Sequence, residues 1–426
     1  MEVRAGQKQT DLGVMPIDWD VGRLLEFWTV TDCKHVTARF VTNGFPIASI
    51  REVQSRFVDL RNAKQTTSDF YLRLTEGARK PKPGDLILSR NATVGELAQV
   101  ASWHPPFAMG QDVCLLRKRS AAFSTGYLQG LFASRLIARQ LADLMVGSTF
   151  KRVNIEQVKS FTITMPGPAE QGAIAGALSD ADGLIESREQ LLAKKRQIKQ
   201  GSMQELLTGK ERLPGFSGRW ELRRFDDLFN FSGGFSASRD QLSADGNCYL
   251  HYGDIHGCRK TYIDVRAEYQ EIPKLDIPWK EIASVSLLND GDVVFVDASE
   301  DDEGASRHVV IVNPDGIPFI SGLHTIVAKS KNNLLDREYR RYCFQTAAVR
   351  KQFLFFAVGT KVSGISKTNI AKITLPVPPV PEQAAIAALL TDMDAEIAAV
   401  ESELGKARQI KQGMMQELLT GRIRLV

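Results

Sequence analysis

The most regular hydrophobic pattern of the chain lies near its C-terminal end, where apolar residues recur at intervals of four and three positions. They are Ile386, Leu390, Met393, Ile397, Val400 and Leu404. This spacing places them on one narrow face of a helix and is typical of a coiled-coil seam. The pattern follows the proline-rich PVPPVPEQ and ends at QELLTGR, where Gly421 fits the left-handed position after a helix. It predicts one long helix.

The same pattern occurs once more, 408 − 196 = 212 positions earlier: RQIKQGSMQELLTGKERL begins at Arg196 and RQIKQGMMQELLTGRIRL at Arg408. The matching seam positions are Ile174, Leu178, Ala181, Ile185, Arg188 and Leu192. Upstream of the helices the offset still pairs Gln140 with Gln352. The chain is therefore two copies of one unit of about 210 residues, each with a divergent front part and a nearly invariant tail.

The two front parts show many short strand patterns and a few helical ones. The strand-like runs are DLILS, ELAQVA, DVVFVDA, RHVVIV and KITLPV, bounded by Gly, Pro, Asn or Asp. In each front part a Gly-Asp pair precedes a strand that ends in a variable loop, and a helix ends in a polar, glycine-containing loop, VGSTFKRVN or VGTKVSGIS. We predict an α+β protein with mixed α/β front domains at 1–165 and 213–376, and long helices within 166–212 and 377–426.

The two helices have one apolar stripe each, and each has one sequence twin. The simplest burial packs helix against helix, and a pseudo-two-fold relation would make the pair antiparallel; the alternative is that each helix packs on its own front part. The near-identity extends to polar residues that packing does not require, so two equal surfaces indicate two copies of one docking partner. The predicted docking residues are Gln200, Met203, Gln204, Leu206, Leu207, Gln412, Met415, Gln416, Leu418 and Leu419. The competing interpretation is that the leucines and methionines fill the coiled-coil core, and the two are compatible because a bundle with partner helices would bury both faces.

Composition narrows the class of protein only broadly. Hydrophobic residues make up 43% and charged residues 24%, which is typical of a globular protein, and no run of eighteen apolar residues occurs. The N-terminal segment MEVRAGQKQTDLG lacks the apolar core of a signal peptide, and the five cysteines form no CxxC pair, so we expect a cytoplasmic protein. A net charge of +4 permits a polyanionic partner without requiring one.

Motifs for catalysis and cofactor binding are missing from the sequence. It contains no GxxxxGK[ST], no GxGxxG that opens a helix, no HExxH, no GxSxG and no Asn/Asp-Pro-Pro-aromatic motif of an amino-methyltransferase. His251 and His256, in LHYGDIHG, fit a polar binding surface better than a metal site. The acidic residues at 300–303 could hold magnesium in a nuclease. The matching stretch of the first repeat, LSRNATVG, has no such cluster, which favours a solvated loop.

Two divergent front parts that alternate with two near-identical helices resemble the specificity subunit of type I restriction–modification systems. The resemblance covers essentially the whole chain. It rests on four features together: the Gly-Asp pair before a strand, the Gly-Ser or Gly-Thr loop, the Glu-Gln pair at the start of each long helix and the QELLTG tail.

The resemblance implies a function in which the chain itself catalyses nothing and holds no cofactor. Each front part is then a target recognition domain that reads one half of a bipartite, asymmetric DNA sequence, and the helices form an antiparallel coiled coil that sets the unread gap. Two methyltransferase subunits supply S-adenosylmethionine and methylate adenine N6, and two restriction subunits add ATP- and Mg-dependent translocation and cleavage. A modification-only system, a protein-binding scaffold and a self-sufficient methyltransferase or nuclease are the alternatives.

Candidate DNA contacts lie in the variable loops, because base edges are read by side chains that can reach the major groove. In the first front part they are Arg90, Asn91, Thr93, Ser148, Thr149, Lys151 and Arg152. In the second they are His251, Tyr252, Asp254, Arg307, His308, Thr360, Lys361 and Ser363. Lys151, Arg152 and Lys361 fit phosphate contacts equally well. For every one of these residues the alternative is a solvated loop side chain.

Overall fold

The chain divides into two compact units, each built from a front part and segments of both long helices. The computed structural model describes residues 5–145, 152–258, 260–299, 307–358 and 363–425. One unit comprises residues 1–190 and 402–426, and the other comprises residues 191–401.

Short strands and helices make up the first front part. Its strands are β1 (Gln7–Thr10), β2 (Gly13–Pro16), β3 (Asp20–Arg23), β4 (Trp28–Asp32), β5 (Phe40–Val41), β6 (Phe45–Ala48), β7 (Gln65–Thr66), β8 (Leu86–Ser89), β9 (Leu97–Gln99), β10 (Ala108–Met109), β11 (Val113–Lys118) and β12 (Thr162–Met165). Its helices are α1 (Leu24–Phe27), α2 (Ser68–Leu74), α3 (Thr125–Phe132), α4 (Arg135–Met145) and α5 (Ile155–Ser160), and the long helix α6 (Pro168–Leu206) follows.

The central sheet of the first unit has the antiparallel order β4-β11-β8-β9, and a second sheet has the order β10-β6-β7-β5. Strand β8 is buried at every position. Leu86 and Leu88 face a core that contains helix α3, whereas Ile87 faces a second core on the other side of the sheet. Burial on both faces explains why the strand is a continuous apolar run rather than an alternating one.

The second front part repeats this plan with different strand lengths. Its strands are β13 (Glu221–Arg224), β14 (Phe229–Gly233), β15 (Leu242–Ser243), β16 (Asn247–Leu250), β17 (Tyr262–Asp264), β18 (Lys274–Leu275), β19 (Val293–Val296), β20 (Ala298–Ser299), β21 (His308–Val312), β22 (Phe319–Ser321), β23 (Thr325–Ser330), β24 (Ser363–Gly364) and β25 (Thr374–Val377). Its helices are α7 (Phe225–Leu228), α8 (Tyr252–Gly257), α9 (Arg340–Cys343), α10 (Ala347–Phe356) and α11 (Lys367–Ile370), and the long helix α12 (Val380–Leu418) follows. The main sheet has the order β14-β23-β19-β21-β17, and strand β19 is again buried throughout.

Hydrogen bonds at matched positions show that the two units share one frame. The Gln140 side chain donates to the Thr162 carbonyl at 2.9 Å, and the Gln352 side chain donates to the Thr374 carbonyl at 3.0 Å. Each of these glutamines also accepts from the backbone N–H of the same threonine at 2.8 Å. The residues of both bonds differ by the sequence offset of 212, so the offset identifies structurally equivalent positions.

Ion pairs join the two long helices inside each unit. In the first unit Lys411 pairs with Asp182 at 2.5 Å and Arg408 with Glu189 at 2.6 Å. In the second unit the equivalent pairs are Lys199–Asp394 and Arg196–Glu401, both at 2.5 Å. Residue numbers rise on one helix as they fall on the other, so the paired segments run antiparallel within each unit.

Glycines end both long helices, as the sequence predicts. Gly209 and Gly421 have φ angles of +68° and +66°, the left-handed conformation that a side chain disfavours. A Cβ atom at Gly421 would lie 2.4 Å from Pro16 Cγ, whereas one at Gly209 would lie 3.3 Å from the Trp220 ring.

Alanine at these two glycines is expected to destabilise the two units unequally. Gly209→Ala should cost about 1 kcal/mol of unfolding free energy from the backbone conformation alone, and Gly421→Ala should cost clearly more because the rigid Pro16 ring blocks the new methyl group. Chemical denaturation of both variants measures the difference. Gly172→Ala, which meets nothing within 4 Å, is the control and should not destabilise the chain.

Candidate functional site

The loop after strand β8 and the segment before helix α5 form one surface, called here the first tip (residues 89–95, 112 and 152–153). Backbone bonds hold it together, because Arg90 donates to the Asp112 carbonyl at 2.9 Å and Val153 donates to the Arg90 carbonyl at 2.9 Å. Asn91 and Arg152 form an antiparallel bridge. The first tip therefore brings together the predicted contacts Arg90, Asn91, Thr93 and Arg152.

The side chains of the first tip differ in how freely they face solvent. Arg90 is only 3% exposed, and its guanidinium lies 2.5 Å from the Asp32 carboxylate, so it supports the loop from beneath. The Asn91 side chain accepts from the N–H of Ala92, and Thr93 bonds the Ser89 hydroxyl at 3.1 Å. The Arg152 side chain is 54% exposed and lies 3.5 Å from Asp112, so it is the more accessible of the two cations, Arg90 and Arg152. Ser148, Thr149 and Lys151 lie outside the described residues.

A second tip (residues 251–257, 297–299, 307, 324 and 363–364) is built around helix α8. His251 caps this helix, since its Nδ1 accepts from the Gly253 N–H at 3.0 Å while its own N–H donates to the Asp254 carboxylate at 3.1 Å. The Tyr252 ring lies 4.5 Å from the His251 ring and 5.4 Å from the His324 ring, centre to centre. Burial, with the nearby Arg239 cation, lowers the pKa of His251, which keeps its imidazole neutral and able to accept this bond.

The other predicted DNA-contacting residues of the second front part lie in different places. Arg307 donates to the His256 carbonyl and so belongs to the second tip. The His308 ring is buried and packs against Phe295 and Phe344 at 5.6 and 5.1 Å, which places it in the core beneath the tip. Strand β24, which includes Ser363, pairs with strand β20 at the edge of the tip. Thr360 and Lys361, like the acidic residues at 300–303, lie outside the described residues.

The predicted docking tail separates into an inner and an outer face. Met203, Leu206 and Leu207 belong to the core of the second unit. Leu418 and Leu419 belong to the core of the first unit, and Met415 packs against it. Gln200, Gln204 and Gln412 are exposed, and Gln416 is half-buried. The apolar residues thus complete the two cores, while three of the four glutamines are exposed.

Comparison with known proteins identifies the family. The family model of the type I restriction modification DNA specificity domain matches residues 16–195 and 218–409, once in each repeat. The chain belongs to this family.

Two relatives that align over almost the whole of this chain are specificity subunits. The type I restriction enzyme MjaIX specificity subunit of Methanocaldococcus jannaschii is 21% identical, and the alignment covers 98% of this chain and 96% of the relative. The putative type I restriction enzyme MjaX specificity subunit of the same organism is 24% identical, with the same coverage.

Two solved structures have the same fold as this chain, although their sequence identity to it is low. The type I restriction–modification S subunit from M. genitalium has a TM-score of 0.57 at 13% identity and covers 94% of this chain and 96% of its own. A chain from a study of complex assembly and conformational transition of the type I R-M system has a TM-score of 0.56 at 16% identity, with 96% and 99% coverage.

Each specificity domain also contains a buried carboxylate clamp that the sequence reasoning missed. Glu170, in the first turn of α6, accepts from Trp19 Nε1 at 3.0 Å and from Arg424 Nε at 2.6 Å. In the other unit Glu382 accepts from Trp220 Nε1 at 3.1 Å and from Arg212 Nη2 at 2.6 Å. Each clamp ties the start of one long helix to the segment just beyond the other. The available signal was a repeated Glu-Gln at the helix start and a repeated Arg after the tail glycine.

One group of side chains has the spacing of metal ligands. In the described part of the chain, Asp32, Cys33 and His35 place their ligand atoms within 4.8 Å of one another. The Arg90 guanidinium already pairs with Asp32, and its positive charge would repel a metal cation.

In the residues that the structure describes, every helix is too short or too polar to span a bilayer.

Proposed function

We propose that this chain is the DNA-binding specificity subunit of a type I restriction–modification complex and reads a bipartite, asymmetric target with a fixed gap. The proposal rests on one observation: the two units have the same fold, but their tips are built differently. The Gln140 and Gln352 bonds repeat at the 212 offset, whereas the first tip rests on an Arg–Asp pair and the second on a capped helix with neighbouring aromatic rings. Equal frames with unequal tips suit two readers of two different half-sites.

The tips offer the chemistry that DNA readout needs. Arg152 supplies a cation that can contact phosphate or guanine, and the Asn91 amide suits adenine. In the second tip Tyr252 and His251 present aromatic and hydrogen-bonding groups from one short helix. The predicted contacts at 148, 149, 151, 360, 361 and 363 remain part of the proposal.

The long helices are proposed to act as an antiparallel coiled-coil spacer between the readers. Their ion pairs are exposed or half-buried, so each contributes about 0–1 kcal/mol. Their more specific contribution is to fix the register, because Lys411–Asp182 and Lys199–Asp394 occupy equivalent places on the two helices. A fixed register gives a fixed separation, which suits a constant gap.

The partners and cofactors of the proposed complex follow from the family. Two methyltransferase subunits would dock on the outer glutamine faces, bring S-adenosylmethionine and methylate adenine N6, and two restriction subunits would add ATP- and Mg-dependent cleavage. This chain would supply DNA recognition and no catalysis. The purified chain alone, given S-adenosylmethionine, should therefore transfer no methyl groups to DNA; transfer would favour the self-sufficient enzyme.

Arg152→Ala is expected to weaken DNA binding by the assembled complex about tenfold, because it removes the accessible cation of the first tip. Binding to the selected target and to random duplexes should be compared at several salt concentrations. A loss on all sequences with a shallower salt dependence assigns Arg152 to phosphate, and a relaxed preference at one base pair assigns it to readout. Arg61→Ala, which removes an exposed cation paired with Asp59, is the control and should bind normally. If DNA binding by the complex with the natural chain depends on neither salt nor sequence, the scaffold alternative is favoured.

Bulky substitutions on the outer face of the tail should weaken assembly without unfolding the chain. Gln204→Trp and Gln416→Trp each place an indole where a methyltransferase subunit is proposed to pack, and we expect co-purification to fall at least about tenfold for the pair. Gln190→Trp, on an exposed position of α6 before the tail, is the matched control. Full recovery of the complex with the double variant would reject the docking assignment.

A further inference from the structure

In the second unit a tyrosine connects the front part to a long helix. The Tyr342 hydroxyl, from helix α9, donates to Asp394 Oδ2 at 2.8 Å and lies 3.1 Å from the Thr391 hydroxyl of helix α12. Lys199 pairs with the other Asp394 oxygen and lies 5.4 Å from the centre of the tyrosine ring. Tyr342 is 2% exposed, so the ring is enclosed between the front part and the helices.

In the first unit the polar surroundings of this tyrosine are present, but the tyrosine is not. The 212 offset places Gly130 at the position of Tyr342. It places Ser179, Asp182 and Lys411 at the positions of Thr391, Asp394 and Lys199. Lys411 pairs with Asp182 Oδ1 at 2.5 Å, as Lys199 does with Asp394. Among the residues that the structure describes, no other group donates to the Asp182 carboxylate, so its second oxygen can accept a further hydrogen bond.

An open cleft of about 1080 Å³ has Gly130, Ser179 and Asp182 among its walls. Its walls combine apolar and polar groups: Phe57, Gln129, Gly130, Leu178, Asp182 and Met415. Trp103, 66% exposed, lies at the cleft with its ring 4.8 Å from that of Phe57. Arg56 is exposed and donates to the Ser179 hydroxyl at 2.7 Å, so an occupant of the cleft would share this hydroxyl with Arg56 or displace it.

We propose that this cleft is a binding site for a tyrosine side chain of a partner protein, whose hydroxyl donates to Asp182. The second unit shows the chemistry of the occupant, because there the same Asp–Lys pair and a hydroxyl-bearing neighbour enclose a phenol. Leu178 and Met415 offer apolar contact to the ring, and a phenol combines that contact with one polar end. A carboxylate-bearing side chain would be repelled by Asp182, Glu186 and Glu189, which all line the cleft.

The methyltransferase subunit is the partner that this location favours, and this step rests on the proposed function. Met415 lines the cleft and belongs to the docking tail, next to Gln412 and Gln416 on the same helix. Tyrosines that enter pockets commonly dominate the affinity of an interface. Since the second unit fills the equivalent place with its own Tyr342, the two partner copies would dock with unequal affinity.

A small phenol tests the site directly in the full-length chain. We expect p-cresol, titrated by NMR, to bind the unmodified chain and to be excluded by Gly130→Tyr, with at least a tenfold loss of affinity. The atom nearest to a Cβ at Gly130 is the end of the Leu178 side chain at 2.8 Å, so the substitution requires this flexible side chain to shift. Gly172→Tyr adds the same group at an open position of helix α6 and should bind p-cresol normally. Equal binding by the Gly130 and Gly172 variants, or no binding by the unmodified chain, would overturn the proposal.

Two further comparisons keep the test informative if Gly130→Tyr does not fold. Asp182→Asn should weaken p-cresol binding about threefold or more, since an amide is a weaker acceptor than a carboxylate. Toluene, which lacks the hydroxyl, should bind more weakly than p-cresol. Toluene that binds as well as p-cresol, together with normal binding by Asp182→Asn, would reject the hydroxyl contact.

The choice of partner is tested separately with purified methyltransferase subunit. Gly130→Tyr should weaken the docking of one of the two copies at least about tenfold, and Gly172→Tyr should not. Docking of both copies to Gly130→Tyr with the same affinities that they have for the natural chain would overturn the choice of partner. The p-cresol titration needs neither DNA nor methylation, so failure of this site and failure of the proposed function give different results.

Discussion

Replacing Leu419 with alanine is expected to lower the free energy of unfolding of the first unit by about 3 kcal/mol. Leu419 is fully buried and belongs to the same core as Tyr127 and Leu178, so truncation leaves a cavity among side chains that cannot fully close it. Chemical denaturation of the full-length chain measures the loss. Leu207→Ala should have a comparable effect on the second unit, because Leu207 occupies the equivalent position in the core there.

Gln412→Ala is the matched control for this prediction, since Gln412 lies on the same helix and is exposed. Its unfolding free energy should change by less than about 0.5 kcal/mol. The comparison separates the two roles predicted for the tail, because leucines that complete a core affect stability while glutamines that face outward affect assembly. A Leu419→Ala variant of unchanged stability that fails only to bind its partner would contradict the structural assignment.

Lengthening both long helices by seven residues is expected to abolish modification of the original target and create a new one with a longer gap. Insertions after Gln190 and Glu401 leave the ion pairs of each unit intact, and seven residues preserve the seam spacing. The added length of about 10.5 Å corresponds to about three base pairs. Modification of the original sequence should fall at least about a hundredfold.

Mapping the methylated sites of the lengthened variant measures both effects at once. The two half-sites should be unchanged, because the tips are untouched, and only the number of unread base pairs between them should grow. Lys194→Ala, an exposed change on α6 that adds no length, should leave the gap as it was. An unchanged gap in the lengthened variant would show that the helices do not set the separation.

Periodicity and self-similarity made much of the fold predictable. The four-three spacing and the flanking proline and glycine motifs predicted both long helices, which the structure places at Pro168–Leu206 and Val380–Leu418. The glycine predictions are also confirmed, because a left-handed residue after a helix has a strong sequence signature. Membership of the specificity-subunit family is confirmed by the match in both repeats.

Long-range contacts were not predictable, because no local pattern encodes them. Arg90 looks like a free loop cation in the sequence, but Asp32, 58 positions away, binds it beneath the first tip. His308 follows Arg307 at the start of the strand-like run RHVVIV, and its strand carries it into the core. Gly130 in place of Tyr342 disturbs no periodicity, so no pattern in the sequence indicates the cleft.

Mapping methylated adenines after co-expression of this chain with its methyltransferase subunit tests whether the two front parts read the two halves of one DNA target. We expect a single split motif with a fixed gap, of which only one half changes when residues 1–165 are exchanged for the front part of another specificity subunit. Methylation without a split motif, an exchange that alters both halves, or a soluble complex that modifies no adenine would contradict it.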